Sequence, residues 1–315
     1  MNITILGAGA YGQALAYLAR KNHHQVAFYD KKSPAPTLLE ALKDTNAIIL
    51  AIPSTAIPAT LAEIPTSYRE TPLILASKGL FSLEIFQDFP NFSVISGPGF
   101  SEDIVADKPT TLTATSELIK SLFTTKELNI ELTTDSLGVT ICGPLNNIYA
   151  IGGGFLAGRQ SEQAPIASDK RHPQPLRGPS DEPRKDGSEE RPLDDDNGSA
   201  LHNYLQSTLA EMKLALKIIG ANPATADLAC GLGELNLKLI TDTGRSRNFQ
   251  LGQQIASGKS PDPKSQTLEG LTALQNLPTK LKSLPLLDTI SKIVQLAEIK
   301  TTKTEAAKTN DREKQ

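Results

Sequence analysis

The stretch Asn2–Ala16, NITILGAGAYGQALA, joins a short apolar run to a glycine-rich turn and the start of a helical pattern. Its glycines Gly7, Gly9 and Gly12 have the spacing G-x-G-x-x-G. In this motif the first glycine permits a tight turn, the second lets a pyrophosphate approach the backbone, and the third lets the helix pack closely on the strand. The N–H groups at the start of the helix then bind the phosphates. The stretch therefore predicts the cofactor-binding turn of a Rossmann domain.

A carboxylate follows this turn at the distance typical of a dinucleotide site. Asp30 ends the next strand-like run, QVAFYD, about 20 residues beyond the glycines, where a carboxylate binds the ribose 2′-OH. Asp30 would repel the 2′-phosphate of NADP, although the neighbouring Lys31 and Lys32 can offset part of that repulsion. We therefore expect the cofactor to be NAD.

Short β-rich runs alternate with helical patterns through residues 1–136. The helical patterns include QALAYLARK and TLLEALKD, which lie between strand-like runs. Continuous apolar strands separated by helices are typical of a parallel sheet that is covered on both faces. We expect an α/β, doubly wound Rossmann domain over this part of the chain. The strand-like runs are Asn2–Leu6, Gln25–Asp30, Ala47–Ser54, Pro72–Ser77, Phe92–Gly97, Thr110–Thr115 and Asn129–Thr134.

Near Asp135–Gly138 long helical periodicities replace the short strands. We expect an all-α domain over residues 137–300. Within it, Arg159–Asn197 is rich in Pro, Ser and charged residues and has almost no large apolar side chains. Such a segment cannot bury enough surface to offset its ordering entropy, so we predict a mobile insertion at 159–197. The polar tail 301–315 is predicted to be disordered.

Composition excludes several classes of function. The chain has 315 residues, of which 39% are hydrophobic and 21% charged, and its net charge of −3 gives no basic field for nucleic acid. No apolar run reaches the about 20 residues that span a bilayer, and the apolar start lacks the basic region of a signal peptide. Cys142 and Cys230 lie among apolar or small residues, and no His, Cys and carboxylate spacing predicts a metal site. We expect a cytoplasmic protein with a small-molecule substrate and without a nucleic-acid partner, membrane insertion or metal.

Further motifs carry a resemblance to one family. SGPGFSEDIVADKPT at Ser96–Thr110 and GVTICGPLNN at Gly138–Asn147 are not general Rossmann features. Together with AIPS, ASKGL, LAEM, GLGELNL, SRN and LEG, they make the chain resemble the NAD(P)-dependent glycerol-3-phosphate dehydrogenases. The resemblance covers most of the chain outside Arg159–Asn197 and the tail. It implies an active site between the Rossmann and helical domains, a homodimer, and reversible reduction of dihydroxyacetone phosphate to sn-glycerol 3-phosphate for phospholipid synthesis.

The resemblance also implies roles for individual residues. The catalytic positions are Lys78, Asn146 and Glu234. A ketone that accepts hydride becomes an alkoxide, which needs a nearby cation or proton donor, and a phosphate suits an arginine fork. The substrate-binding positions are Lys78, Gly97, Asn147, Arg247 and Asn248. The cofactor-binding positions are Gly7, Gly9, Ala10, Tyr11, Gly12, Asp30, Pro53, Lys78, Arg247 and Glu269.

Three positions depart from the family pattern. Asn146 stands where the family has the lysine expected to polarise the carbonyl and protonate the alkoxide, Glu234 replaces an aspartate, and Ser207 replaces an arginine. An asparagine supplies neither a proton nor a positive charge, and loss of one preorganised donor costs about 10²–10³ in rate. Lys78 can cover part of the role, and Lys238 is another candidate. The chain is therefore predicted to be a working or weakened dehydrogenase. The alternatives are a nucleotide-binding pseudoenzyme and a reductase of another small phosphorylated or carboxylated ketone.

Some of these residues also have a plainer interpretation. Glu234 is also consistent with an ordinary carboxylate on a helix surface. For Arg247 we favour the phosphate role over an exposed basic loop, the alternative that the neighbouring Arg245 suggests. Asn147 is consistent with a structural hydrogen bond inside an apolar helix, because a buried amide must be satisfied.

Overall fold

A seven-stranded sheet forms the first part of the protein. The structure is a computed structural model that describes residues 1–33, 35–163, 195–259 and 268–298. The strand order is β2-β1-β3-β4-β5-β6-β7. All neighbouring strands run parallel except the fifth and sixth, which pair antiparallel. The strands are β1 (Asn2–Leu6), β2 (Gln25–Tyr29), β3 (Ala47–Leu50), β4 (Leu73–Leu75), β5 (Phe92–Ser96), β6 (Thr110–Ala114) and β7 (Leu128–Leu132).

Apolar side chains cover both faces of the sheet. In β3 the side chains of Ile48 and Leu50 belong to one buried cluster, whereas Ile49 belongs to another, as the alternation along a strand requires. Both clusters are closed by helices, which explains why the strand is a continuous apolar run. The helices of this part are α1 (Ala10–Lys21), α2 (Leu38–Leu42), α3 (Ile57–Glu63), α4 (Ser101–Val105) and α5 (Glu117–Phe123).

Helices make up the second part of the described chain. The long helices α6 (Ser136–Gln163) and α7 (Asp195–Ile219) come first. They are followed by a helical segment over 229–241 whose central turn is α8 (Glu234–Asn236), and then by α9 (Arg247–Ala256), α10 (Glu269–Gln275) and α11 (285–298). One of the two buried clusters runs from the sheet into this part, so the two parts share a core.

Glycines let α6 lie directly against α9. A Cβ atom on Gly154 would lie 1.9 Å from the carbonyl oxygen of Phe249, and one on Gly252 would lie 2.0 Å from that of Ile151. Either contact is far inside van der Waals distance, so the close approach requires glycine at both positions. This packing fixes the position of α6, which carries Asn146 and Asn147.

The predicted fold class is confirmed, and each predicted strand-like run overlaps one strand, although β7 begins at Leu128, one residue before its predicted run. The antiparallel pairing of β6 with β5 is a departure from the predicted parallel sheet, because an apolar run does not encode the direction of its strand. Helix covers residues 159–163 and 195–197, so the ends of the predicted mobile insertion are helical. The rest of that segment, residues 164–194, and the predicted disordered tail lie outside the described residues. Among the residues described, no helix combines the length and the apolarity needed to cross a membrane.

Candidate active site

The glycine-rich turn between β1 and α1 forms an open cradle. Gly7 has a φ of +110°, and a Cβ there would lie 2.4 Å from the carbonyl oxygen of Ala51. A Cβ on Gly12 would lie 2.1 Å from the carbonyl oxygen of Gly7. A Cβ on Gly9, in contrast, would meet no atom within 4 Å. The outer glycines are therefore required by packing, while the middle one faces the open space that a pyrophosphate needs.

Asp30 is anchored beside this cradle. Its Oδ2 accepts a hydrogen bond from the N–H of Ala8 at 3.0 Å, and its Oδ1 accepts one from the N–H of Lys32 at 2.9 Å. These two bonds lower the pKa of the Asp30 carboxyl. The ammonium of Lys31 lies 2.6 Å from Glu63. A held carboxylate next to the glycine turn fits the ribose of a dinucleotide.

The sheet brings several of the proposed cofactor and substrate residues to one edge. The carboxyl ends of parallel strands lie at the same edge of a sheet, which is where ligands bind in open α/β sheets. Asp30 directly follows β2, and Gly97 directly follows β5. Pro53 and Lys78 lie within three residues of the ends of β3 and β4.

A buried ionic cluster joins the two parts of the protein. The carboxylate of Glu234 is 1% exposed and contacts two ammonium groups. One belongs to Lys78, from the sheet edge, and the other to Lys238, whose Nζ lies 2.7 Å from Glu234 Oε1. The side chain of Lys78 passes Gly143 of α6, where a Cβ would lie 3.1 Å from Lys78 Cγ. The interpretation of Glu234 as a helix-surface carboxylate is therefore wrong.

Asn147 connects this cluster to α10. Its Oδ1 accepts a hydrogen bond from Lys238 Nζ, and its Nδ2 donates one to Glu269 Oε2 at 2.9 Å. The amide is 3% exposed, so both of its polar ends are satisfied by charged groups. The plainer interpretation of Asn147, a hydrogen bond to nearby backbone, is not what the structure shows.

Asn146 points to a different neighbour. It is completely buried, and its Nδ2 donates to the carbonyl of Cys230 at 2.8 Å. Among the described residues, its Oδ1 has no hydrogen-bond partner. Cys230 lies in the first of two widened, π-helical turns, Ala229–Gly233 and Leu237–Thr241, that flank α8. Asn146 therefore ties α6 to the helical segment that carries Glu234 and Lys238.

The widened turns distinguish this segment from an ordinary helix. In the second turn, the N–H of Asp242 donates to the carbonyl of Leu237, five residues earlier, at 2.9 Å. Such turns are rare and occur frequently at functional sites. Glu234 opens the α-helical turn between them, and Lys238 belongs to the second widened turn, so both charged residues lie where the helix departs from regular geometry.

The charges in the cluster change each other's proton affinity. Burial opposes ionisation of Glu234, but the two lysines outweigh it, and the pKa of Glu234 is lowered. Burial also opposes the charged form of Lys78, but Glu234 outweighs it and the pKa of Lys78 is raised. For Lys238 burial dominates over Glu234, and its pKa is lowered. Burial raises the pKa of Tyr11, on α1, to about 12, with smaller effects of Lys78 and Glu234.

The remaining predicted substrate residues lie at the start of α9. Arg247 is its first residue and is exposed, whereas Asn248 is 8% exposed and its Oδ1 accepts a hydrogen bond from the N–H of Gly270 at 3.2 Å. Arg245 contacts Asp103 at 2.7 Å and Asp242 at 3.1 Å. Arg245 therefore links the start of α9 to α4.

Two sequence profiles of one family match the chain. The NAD-dependent glycerol-3-phosphate dehydrogenase N-terminus matches residues 33–121, and the C-terminus of the same family matches residues 196–303. The glycerol-3-phosphate dehydrogenase (NAD(P)+) of Acaryochloris marina is 30% identical, over 82% of this chain and 76% of the relative. The chain belongs to the NAD-dependent glycerol-3-phosphate dehydrogenase family. The corresponding Salmonella paratyphi B protein is 26% identical to this dehydrogenase, over 85% of this chain and 83% of its own.

Solved structures agree with this assignment at the level of the fold. The glycerol-3-phosphate dehydrogenase of Coxiella burnetii superposes with a TM-score of 0.71 at 21% identity, covering 96% of this chain and 98% of its own. That of Plasmodium falciparum also has a TM-score of 0.71, at 17% identity, covering 94% and 92%. The protein is an NAD(P)-dependent dehydrogenase of this family, and the open cradle at Gly9 fits such a cofactor.

The structure brings together Lys78, Asn147, Glu234 and Glu269, for which the resemblance implied roles in one site but not their contacts with each other. It also places Lys238, the other candidate for the role of the missing lysine, in this cluster, four residues from Glu234 on the same helix face. It separates Asn146 from this cluster by giving it the Cys230 carbonyl as partner. Across residues 1–33, 35–163, 195–259 and 268–298, no three side chains of the types that bind metals come together.

Proposed function

We propose that this protein catalyses the reversible reduction of dihydroxyacetone phosphate to sn-glycerol 3-phosphate, with NADH as the reductant. The observation that carries the proposal is the buried cluster of two lysines on Glu234, built from both domains beside the glycine-rich cradle. The curated relatives carry the name of the same activity. A site with two ammonium groups suits a substrate that gains negative charge on an oxygen.

The cofactor is proposed to lie along the carboxyl edge of the sheet. Gly7, Gly9 and Gly12, with the first N–H groups of α1 at Ala10 and Tyr11, would hold the pyrophosphate. Asp30 favours NAD over NADP, because its carboxylate accepts from a ribose 2′-OH and repels a 2′-phosphate, and Lys31 is already paired with Glu63. Pro53, Arg247 and Glu269 complete the proposed cofactor contacts. The bound reduced nicotinamide supplies a hydride to the substrate carbonyl.

The chain's own residues position the substrate and stabilise charge. Lys78 faces the developing alkoxide as a cation, because Glu234 keeps its pKa raised. Glu234 Oε2 is buried and, among the described residues, has no hydrogen-bond partner. Arg247 and Asn248, with Gly97 and Asn147, are proposed to hold the substrate and its phosphate.

The proposed setting of this activity follows from the resemblance to the family. We infer that the protein works in the cytoplasm as a homodimer and supplies glycerol 3-phosphate for phospholipid synthesis. Residues 1–136 would bind the cofactor, and the helical part would complete the substrate site.

A catalytically impaired, nucleotide-binding protein is the second candidate. The buried amide at Asn146, bonded to a backbone carbonyl, favours it, because that position supplies no acid. Purified protein should oxidise NADH in the presence of dihydroxyacetone phosphate, and Lys78→Ala should abolish that turnover. A wild type that binds NADH but stays inert, together with an Asn146→Lys variant that gains turnover, would establish the second candidate. Turnover only with another small ketone would change the substrate.

A further inference from the structure

Reduction of a ketone requires a proton as well as a hydride. The alkoxide oxygen must end as a hydroxyl, so an acid has to lie within hydrogen-bond reach of it. Asn146 has no titratable proton, and its N–H₂ group is committed to the Cys230 carbonyl inside the protein. If the proposed function holds, the acid is another residue of the same site.

Lys238 has the position and the connections of such an acid. It is 8% exposed and carries one of the two ammonium groups on Glu234. A lysine ammonium has three hydrogens to donate. In the described structure Glu234 Oε1 and Asn147 Oδ1 accept two of them, which holds Nζ between α6 and the segment 229–241. These two contacts leave the third hydrogen available to a ligand.

We propose that Lys238 is the general acid of the reduction and the general base of the reverse oxidation. A C–H bond forms as the hydride reaches the carbonyl carbon, and the C=O π electrons move to the oxygen. An N–H bond of Lys238 then breaks and the O–H bond of the product forms, which leaves Lys238 as a neutral amine. The amine regains a proton from solvent before the next turnover.

The two lysines of the cluster have different roles in this proposal. Lys78 stays charged because its pKa is raised, which suits electrostatic stabilisation. Lys238 has a lowered pKa, from burial and from the nearby charge of Lys78, so it gives up a proton more readily. The groups that face it are Glu234 on its own segment, Asn147 on α6, Lys78 at the sheet edge and Glu269 on α10, and both carboxylates hold its pKa up. The balance of these groups sets the pH at which it works.

The test compares four purified full-length proteins: wild type, Lys238→Arg, Lys238→Ala and Lys292→Gln. Lys292 is the matched control, since it is also a helical lysine four residues from a carboxylate, Asp288, but its side chain is 66% exposed. NADH oxidation with dihydroxyacetone phosphate gives kcat and KM across a pH range. NADH binding, followed by its fluorescence, reports separately on the cofactor site and on folding.

We expect Lys238→Ala and Lys238→Arg to lose about 10²–10⁴-fold in kcat, the usual contribution of a general acid, while NADH affinity and the control stay near wild type. Arginine keeps the charge but cannot release a proton, so the arm of the wild-type pH profile that reports the acid should disappear. Methylamine added to Lys238→Ala should restore part of kcat.

Other outcomes would overturn the assignment. Wild-type kcat in Lys238→Arg, with an unchanged pH profile, would show that the ammonium acts only as a charge. A Lys238→Ala protein that binds NADH but gains nothing from methylamine would give Lys238 a structural role. A wild-type protein without turnover would instead contradict the proposed function, and with it the assignment of Lys238 as the general acid.

Discussion

Replacing Glu234 with glutamine removes the negative charge that two ammonium groups share inside the protein. Breaking a buried ion pair by removing one partner costs about 3–5 kcal/mol, because the other charge stays buried. Lys78 keeps 26% of its side chain exposed and can regain water, whereas Lys238 keeps 11%. The cost is therefore set mainly by Lys238, and we expect a loss of about 3 kcal/mol in the free energy of unfolding at pH 7.

The loss should depend on pH in a defined direction. The pKa of Lys238 is already lowered in the folded protein, and loss of Glu234 lowers it further. Between that folded value and the unfolded value of about 10.4, the unfolded chain binds more protons, so the stability of the variant rises as pH rises. In the wild type, the pKa of Glu234 is lower in the folded protein than in the unfolded chain. This difference stabilises the folded protein at pH values above the unfolded pKa, and the stabilisation is lost as the pH falls through the folded pKa.

Urea unfolding followed by circular dichroism at pH 7 and pH 9.5 measures both effects. Asp288→Asn is the matched control, since it removes the exposed partner of Lys292 and should cost no more than about 0.5 kcal/mol. Adding Lys238→Met to Glu234→Gln should recover part of the loss, because the buried unpaired charge is then gone. A loss below about 1 kcal/mol with no pH dependence would refute the reasoning, since it would mean that Lys238 is hydrated.

Three further predictions concern the ligand sites. Gly12→Ala should lower thermal stability, because the added Cβ would lie 2.1 Å from the Gly7 carbonyl oxygen, whereas Gly9→Ala should fold normally and weaken NADH binding in a fluorescence titration. Wild-type NADH affinity in Gly9→Ala would show that the pyrophosphate does not bind against Gly9. Asp30→Ala should weaken NADH binding about 10–100-fold, the equivalent of one charged hydrogen bond. It should also reduce the preference for NADH over NADPH. An unchanged ratio of NADH affinity to NADPH affinity would contradict the contact between Asp30 and the ribose. In steady-state kinetics, Arg247→Ala should raise KM for dihydroxyacetone phosphate about 10-fold or more with little change in kcat. An unchanged KM would show that Arg247 does not bind the substrate phosphate.

Local features of the fold were predictable from sequence, whereas the direct contacts between distant residues were not. The turn at Gly7, Gly9 and Gly12 depends on neighbours within a few residues, and the strand before it and the helix after it formed as predicted. The contact between Lys78 and Glu234 joins residues 156 positions apart and depends on how two domains pack. No single-sequence pattern encodes that packing.

The direction of Lys238 illustrates a second limit. Its spacing from Glu234 indicates one helix face, but the widened turns around α8 change where that face points. Similarly, the antiparallel pairing of β6 with β5 follows from chain connections rather than from the apolar pattern of either strand. The hydrogen-bond partners of Asn146 and Asn147 depend on how α6 packs against its neighbours, so the sequence did not predict them.

The shared carboxylate of Glu234 also joins the two domains through its ion pair with Lys78. Lys78 reaches it from the sheet, while Lys238 belongs to the same helical segment as Glu234 itself. If the cleft widens at this point, the bond to Lys78 breaks first and the bond to Lys238 persists. Protonation of Glu234 would weaken this ion pair between the domains, because the carboxylate would lose the charge that attracts Lys78.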